Sequence, residues 1–386
     1  MSTIANDSFS KVASLDSLTS AHRKAMIGKR SDQNAAASNY RFMTDLLKIQ
    51  RELRAETYAP LPYRKRIITE PKTRYIEAPA FRDRIVHHSI HSTLSPFYER
   101  HFIHDSYACR PNKGIHRAMA RVQHFLRANP NTYACKLDIS KYYGSVNHNK
   151  LRELLSKRIN DQRLLNLLSI IIDSSDSDTR YDHLFPPDSY FHTKGRRGIP
   201  IGNLTSQLFA NIYLHEVDMY AKQTLKIHHY IRYMDDILLF HPDKTVLHEW
   251  KTKLTEFLYE ELYLTINPRK VRIYPARIGV DFVGYVIYPH ASRVRASSVR
   301  RFRRQFNKKL HRLVENKTSV KSVDATFAAW SAHVMHSNGR ALIEQERIKK
   351  DNYTFVWWAL KEHRKNLRHQ QNQQQLPLPD IFDAVN

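Results

Sequence analysis

Three aspartates are the first candidates for chemistry. Asp235 and Asp236 stand side by side in IRYMDDILLF (231–240), where apolar residues flank them in a run that reads as two short strands. That pattern places the pair at a hairpin tip. A carboxylate on an otherwise buried strand pair costs several kcal/mol unless a cation or a donor neutralises it, so two adjacent ones argue for a metal. An ordinary acidic turn is the competing reading of an isolated pair. Asp138 shifts the balance, because it too ends an apolar, strand-like run, in YACKLDISKYYGSV (133–146), before a turn into a helix starting near His148. Hard oxygen ligands at two strand ends suit Mg²⁺. Two such ions about 3.5–4 Å apart activate an attacking hydroxyl and stabilise a leaving phosphate oxygen, which is what nucleotidyl transfer requires.

The elements that must position these residues follow from periodicity. Residues 1–60 predict a helical N-terminal extension, with SLTSAHRKAM and NYRFMTDLLKIQRELRAETY spacing apolar residues at helical intervals before the turn-rich APLPY. Over 61–289, short strand-like runs (RKRIITEP, YACKLDI, IRYMDDILLF, VDFVGYVIY) alternate with helical stretches such as HNKLRELLSKRI and LTSQLFANIYLHEVDMYAK. That is a mixed α/β core. Residues 290–367 predict a separate basic helical subdomain: Arg295, Arg300, Arg301, Arg303, Arg304, Lys308, Lys309 and Arg312 occur with no acid among them. The tail, 368–386, is Gln-rich and then Pro-punctuated, a composition that lacks fixed structure unless a partner orders it. No repeat recurs at solenoid periods.

Charge narrows the partner class. Lys+Arg 62 against Asp+Glu 37 gives the 386-residue chain a formal net charge of +25, which favours a polyanion, either nucleic acid or an anionic membrane. No window approaches the roughly 18 apolar residues of a spanning helix, and the N-terminus lacks the apolar core of a signal peptide. The expectation is therefore a soluble, cytoplasmic protein without a membrane partner. Cys109 and Cys135 form no CxxC cluster and read as plain thiols.

With these motifs in hand, the chain resembles the reverse transcriptases. YMDD (233–236) is similar to their YxDD box and DISKYYGSV (138–146) to their first catalytic aspartate motif. The resemblance continues in order through PKTRYIEAPAFRDRIVHH (71–88), SYACRPNKGIHRAM (106–119), the Asp138 motif, GIPIGNLTSQLFANIY (198–213), YMDD, LYLTINPRKV (262–271) and VDFVGYVIY (280–288). It implies an α+β right-hand polymerase with fingers, a palm of antiparallel sheet plus helices, and a helical thumb. It implies two Mg²⁺ ions held by Asp138, Asp235 and the Ile139 carbonyl, with Asp236 in support. Tyr143 matches the steric gate that excludes a ribose 2′-OH, a plain core aromatic being the alternative. Lys72, Arg74 and Arg110 match positions that hold the incoming dNTP, where cations meet negative charge growing on the phosphates. Arg84 either joins them or pairs with Asp83. Lys270 matches the lysine proposed to protonate pyrophosphate, with Arg269 beside it as the other register.

One departure bears on type. Where most relatives carry glutamine, this chain has Ile201, and that change, with Ser206 and Gln207, resembles the reverse transcriptases of diversity-generating retroelements, which copy a template RNA with errors at adenine. AHRKAMIGKR, EPKTR and FAAWSAHVMHSNG extend that likeness. Losing an amide removes about 1–2 kcal/mol of discrimination. The alternatives are that Ile201 merely packs and that the chain is a prokaryotic or phage antiphage-defence enzyme working with a structured noncoding RNA. A non-catalytic RNA-binding subunit conflicts with the intact aspartates; a group II intron enzyme would commonly add a maturase region and often a Cys/His endonuclease domain. Arg300, Arg301, Arg303, Arg304, Lys308 and Lys309 are expected to track the phosphates of an RNA–DNA hybrid, or to hold a noncoding RNA or an acidic accessory protein.

Overall fold

The computed structural model describes residues 3–4, 6–28, 40–69, 73–174 and 195–374, with the backbone alone over 367–374. Lys72 lies outside them. The chain divides into two compact units, Met1–Arg277 and Ile278–Asn386.

The first unit opens with helices α1 (Ser8–Val12), α2 (Leu15–Met26) and α3 (Phe42–Arg54). Of the three, α2 has a side-chain cap. Ser14 Oγ accepts from Ser17 N at the head of α2, which satisfies one of the amides that a helix leaves unpaired. A hairpin of β1 (Arg64–Ile68) and β2 (Arg74–Ala78) follows, every β1 residue exposed. Next come α4 (Phe81–Glu99), α5 (Ile115–Ala128), β3 (Tyr133–Asp138), the short turn α6 (Tyr142–Ser145), α7 (His148–Ser156) and α8 (Gln162–Asp173). Asp161 caps α8, its Oδ1 accepting from Leu164 N at 3.1 Å, while its Oδ2 accepts from Phe9 N at 2.7 Å and so ties α1 down.

The unit closes with α9 (Leu204–Met219), β4 (Tyr230–Tyr233), β5 (Asp236–His241), α10 (Lys244–Glu260) and β6 (Arg272–Pro275). The four strands form one antiparallel sheet in the order β4-β5-β3-β6. β5 is central, and Ile237, Leu238, Leu239 and Phe240 are all buried, the continuous apolar run of a strand covered on both faces. α9 is buried nearly all round and packs against α4, its apolar residues sharing one core with β3 and β5.

The second unit holds the sheet β7 (Val280–Phe282), β8 (Tyr285–Ile287) and β9 (Ser292–Val294), then α11 (Ala296–Val314), α12 (Val320–Met335) and α13 (Arg340–Gln374). VDFVGYVIY therefore forms a hairpin of this second sheet, turning through Val283 and Gly284, both at positive φ. α11 buries Phe302, Phe306, Leu310 and Leu313, spaced three and four apart, and Trp330 of α12 stacks on Phe302 at 3.9 Å. α13 continues as helix through the first Gln-rich residues to Gln374, beyond the expected boundary at 368; the rest of the tail lies outside the described residues. The helix-plus-antiparallel-sheet class expected from the sequence is the one observed. Among the described residues no helix is long and apolar enough to cross a membrane. Both cysteines are free thiols, Cys109 exposed and Cys135 buried.

Candidate active site

The three aspartates meet because of strand register. β3 pairs with β5 so that Asp138 faces Asp236, and β4 pairs with β5 so that Tyr233 faces Asp236. Met234 and Asp235 are then the two loop residues of the β4–β5 hairpin, one position off the expectation that both Asp235 and Asp236 occupy the tip. Met234 adopts φ 53°, a conformation that such turns usually give to glycine. The Ile139 amide donates to the Asp235 carbonyl at 3.2 Å, joining the end of β3 to the tip.

The two halves of the DD pair have different surroundings. Burial, and next the charge of Asp138, raise the Asp235 carboxyl above the usual range, while Lys270 and Arg74 pull it back. Asp236 is pushed up to about 6, by burial first, with Lys136 opposing. Its Oδ2 pairs with Lys136 Nζ at 3.1 Å and its buried Oδ1 has no hydrogen-bond partner. Asp138 forms an ion pair with Lys270 Nζ, so of the two adjacent cations it is Lys270 that reaches the site, and Arg269 is exposed. Among the described residues no group of three His, Cys, Asp or Glu side chains converges as a ready-made metal cage.

Other expected residues divide between those near the tip and those employed elsewhere. Tyr143 is half-buried, its hydroxyl 3.9 Å from Met234 Sδ, and burial followed by Cys109 and Asp235 raises its pKa. Arg74 heads β2, exposed, and its charge acts on both Asp235 and Tyr143. Ile201 is half-buried and its carbonyl accepts from Glu77 N at 2.9 Å, which docks the loop before α9 onto β2. Gly202 makes that approach possible: a Cβ there would lie 2.7 Å from the Glu77 carbonyl oxygen.

Arg110 departs from its expected role. Its Nε pairs with Glu99 at 2.9 Å, its Nη1 donates to the carbonyls of Ile103 and Ser106, and it lies over the Phe102 ring. With a side chain only 5% exposed, it braces the turn before α5. Arg84 donates through Nε to Pro79 O, and Asp83, buried, is bonded by Tyr58 and Leu61 N instead.

On α11, Arg300, Arg304 and Lys308 are exposed at four-residue spacing, opposite the buried Phe302 and Phe306. Arg301 is half-buried. Arg303 pairs with the buried Glu346 at 2.6 Å, and Lys309 Nζ donates to Thr326 Oγ1 at 2.6 Å.

Residues 64–287 match the reverse transcriptase (RNA-dependent DNA polymerase) family, more than half of the 386-residue chain. The chain belongs to this family. Protein YkfC of Escherichia coli (strain K12) is 32% identical over 188 residues, 47% of either chain. The group II intron-encoded protein LtrA of Lactococcus lactis subsp. cremoris is 26% identical over 179 residues, 46% of this chain and 28% of that one. The chain thus spans about half, or less, of the length of these relatives. A solved telomerase from Candida albicans, in complex with a TWJ fragment of telomeric RNA, has a TM-score of 0.45 at 13% identity, covering 77% of this chain and 55% of that one.

Sequence reasoning missed the buried support of this reverse transcriptase's hairpin. Arg232, on the strand before the tip, is fully buried and forms a two-pronged ion pair with Asp218 of α9: Nε to Oδ1 at 2.7 Å and Nη2 to Oδ2 at 2.6 Å. Tyr230 OH donates to the same Asp218 Oδ1 at 2.7 Å. A signal was present: a charge inside an apolar strand needs a partner, and α9 ends with two acids, Glu216 and Asp218, of which Asp218 is fully buried.

Proposed function

We propose that the chain is an RNA-directed DNA polymerase in which Asp138 and Asp235 hold two Mg²⁺ ions, with the Ile139 carbonyl as a further ligand and Asp236 in support. The observation that carries this reading is the β3–β5 register, which puts Asp138 opposite Asp236 and close enough to Asp235 for its charge to raise the Asp235 carboxyl. Asp138 and Asp235 fit Mg²⁺, which is commonly held by one or two protein carboxylates together with substrate phosphates and water. The Lys270 ammonium on Asp138 supports a cation requirement there. Bound Mg²⁺ would activate the primer 3′-hydroxyl and stabilise the departing oxygen.

The chain's own residues supply the rest. Arg74, and Lys72 in the same motif, hold the triphosphate by charge. Tyr143, packed against the hairpin tip, closes the space that a 2′-OH would need. Lys270 Nζ delivers a proton to pyrophosphate. Arg300, Arg304 and Lys308 line up about 6 Å apart along α11, at 1.5 Å rise per residue, and hold the phosphates of template RNA and of the RNA–DNA hybrid. The test is dNTP incorporation on a primed RNA with Mg²⁺. Asp138→Asn and Asp235→Asn are expected to abolish it while RNA binding and melting temperature persist, and substantial residual synthesis by either variant refutes the assignment.

On biological role, we propose a diversity-generating retroelement enzyme that copies a specific template RNA with errors at adenine, an associated structured RNA and an acidic accessory protein being its natural partners. Ile201 supports this, since its backbone is docked on β2 at Glu77 while its aliphatic side chain offers no hydrogen bond to a nascent pair. The antiphage-defence reading shares the same chemistry. Sequencing the cDNA made by the protein with its co-purified RNA distinguishes them: adenine-targeted errors support diversification, and accurate, repeat or homopolymer products support defence.

A further inference from the structure

Asp235 sits between two peptide planes, one held from outside the hairpin by the end of β3 and the other by a side chain of the hairpin's own first strand. On one side its own carbonyl accepts from Ile139 N at 3.2 Å. On the other, the Met234 carbonyl accepts from Arg232 Nη1 at 3.2 Å. Because peptide units are rigid, fixing the two planes that meet at one Cα fixes the direction of its Cβ. The Asp235 carboxylate is therefore aimed by a strand end and by a guanidinium.

The guanidinium itself has no freedom. Besides its two bonds to Asp218, Nη1 donates to Asn211 Oδ1 at 3.3 Å and Nη2 to Ser106 Oγ at 3.2 Å. Its backbone is clamped as well, Arg232 N donating to Asp105 O at 2.9 Å and Tyr107 N donating to Arg232 O at 3.0 Å. Such over-determination is what a strained tip requires, since Met234 holds φ 53° without being glycine.

We propose that Arg232 is a positioning residue: anchored by Asp218, Asn211 and Ser106, it holds the Met234 carbonyl and thereby sets where the Asp235 carboxylate points. The inference rests on Asp235 being a metal ligand. A lysine at 232 could keep the charge pairing, but its single ammonium cannot reach both Asp218 oxygens, Asn211, Ser106 and the Met234 carbonyl together.

The test compares wild type, Arg232→Lys, the charge-balanced double variant Arg232→Met with Asp218→Leu, and Asp235→Asn. The readouts are melting temperature, Mn²⁺ binding by electron paramagnetic resonance, and kcat and KM for dTTP on poly(rA)·oligo(dT) with Mg²⁺. For Arg232→Lys and the folded double variant, kcat is expected to fall about tenfold or more, the cost of a misaimed ligand, with KM within about twofold and weaker Mn²⁺ binding. A folded variant of either kind with wild-type kcat and Mn²⁺ affinity overturns the proposal. If both fail to fold, Asn211→Leu, which leaves the ion pair intact, must lower kcat and Mn²⁺ affinity, and wild-type values there overturn it instead. Asp235→Asn separates the two ideas: full activity in that variant would remove the metal assignment, whereas its loss beside unaffected Arg232 variants removes only the positioning role.

Discussion

At the residue scale, the candidate site was legible because acids in apolar strands violate local rules. Paired acids in an apolar hairpin and an acid closing an apolar strand stand out in the sequence, and Asp138 and Asp235 are neighbours in the fold. Their supporting cations were less legible, since Lys and Arg abound in a chain of net charge +25 and only packing distinguishes them. Lys270 pairs with Asp138, whereas Arg110 is taken up by Glu99 and backbone carbonyls. Tyr143 gives the sharpest residue-level expectation. Its ring packs at the tip beside Met234, so Tyr143→Ala should raise ribonucleotide incorporation at least about tenfold relative to dNTP, a difference of about 1.4 kcal/mol. Competition assays with labelled rNTP and dNTP read this out, and unchanged exclusion locates the gate elsewhere. Ile201→Gln belongs to the same scale. If position 201 faces the nascent pair as proposed, the amide tightens selection without touching the aspartates, so errors opposite adenine, counted by deep sequencing of cDNA from one defined RNA, should fall while the rate at saturating dNTP holds.

At the element scale, periodicity reported what it could. The strands around the aspartates and the long helices α9 and α11 follow from their apolar spacing, because burial of one face or all faces dictates it. Pairing order did not follow: nothing local says that β3 lies between β5 and β6, since those pairings join segments far apart in the chain. The same limit applies to the cations of α11, which look alike in sequence and differ in the fold. Arg303 faces the buried Glu346, whereas Arg300, Arg304 and Lys308 form one exposed row. Replacing those three with Gln should flatten the log–log salt dependence of RNA binding by up to about 0.7–0.9 for each phosphate no longer neutralised, while Arg303→Gln should leave the slope alone and lower the melting temperature by stranding Glu346. Filter binding across a salt series decides it. Equal slopes for the triple variant and wild type return the row to an ordinary solvated face.

At the scale of the whole molecule, stability is expected to depend on pH through the buried His87 and His215 and the half-buried His91. His87 is lowered to about 3, and His91 and His215 to about 4, in each case by burial first. For His91 the neighbouring His88 and Lys24 add to the effect, and for His215 the raising influence of Asp218 is outweighed. A histidine whose folded pKa is depressed binds its proton more readily when unfolded. Between the unfolded value, about 6.5, and the folded values, the unfolded chain therefore holds more protons, so stability falls as pH falls through that window. The raised carboxyls of Asp236, Asp235 and Asp83 act in the opposite sense, so the histidine share is read from the difference between a histidine variant and wild type. Each fully buried histidine contributes a slope of about 1.4 kcal/mol per pH unit once well below 6.5. His87 is the cleanest probe, 1% exposed, with a single contact from Thr205 at Nδ1 and an unpartnered Nε2. His87→Leu should leave stability near wild type at pH 7.5 and flatten its decline toward pH 5, read as urea midpoints every half unit. If the variant loses stability with acid as steeply as wild type does, His87 does not carry this proton and the decline belongs to other groups.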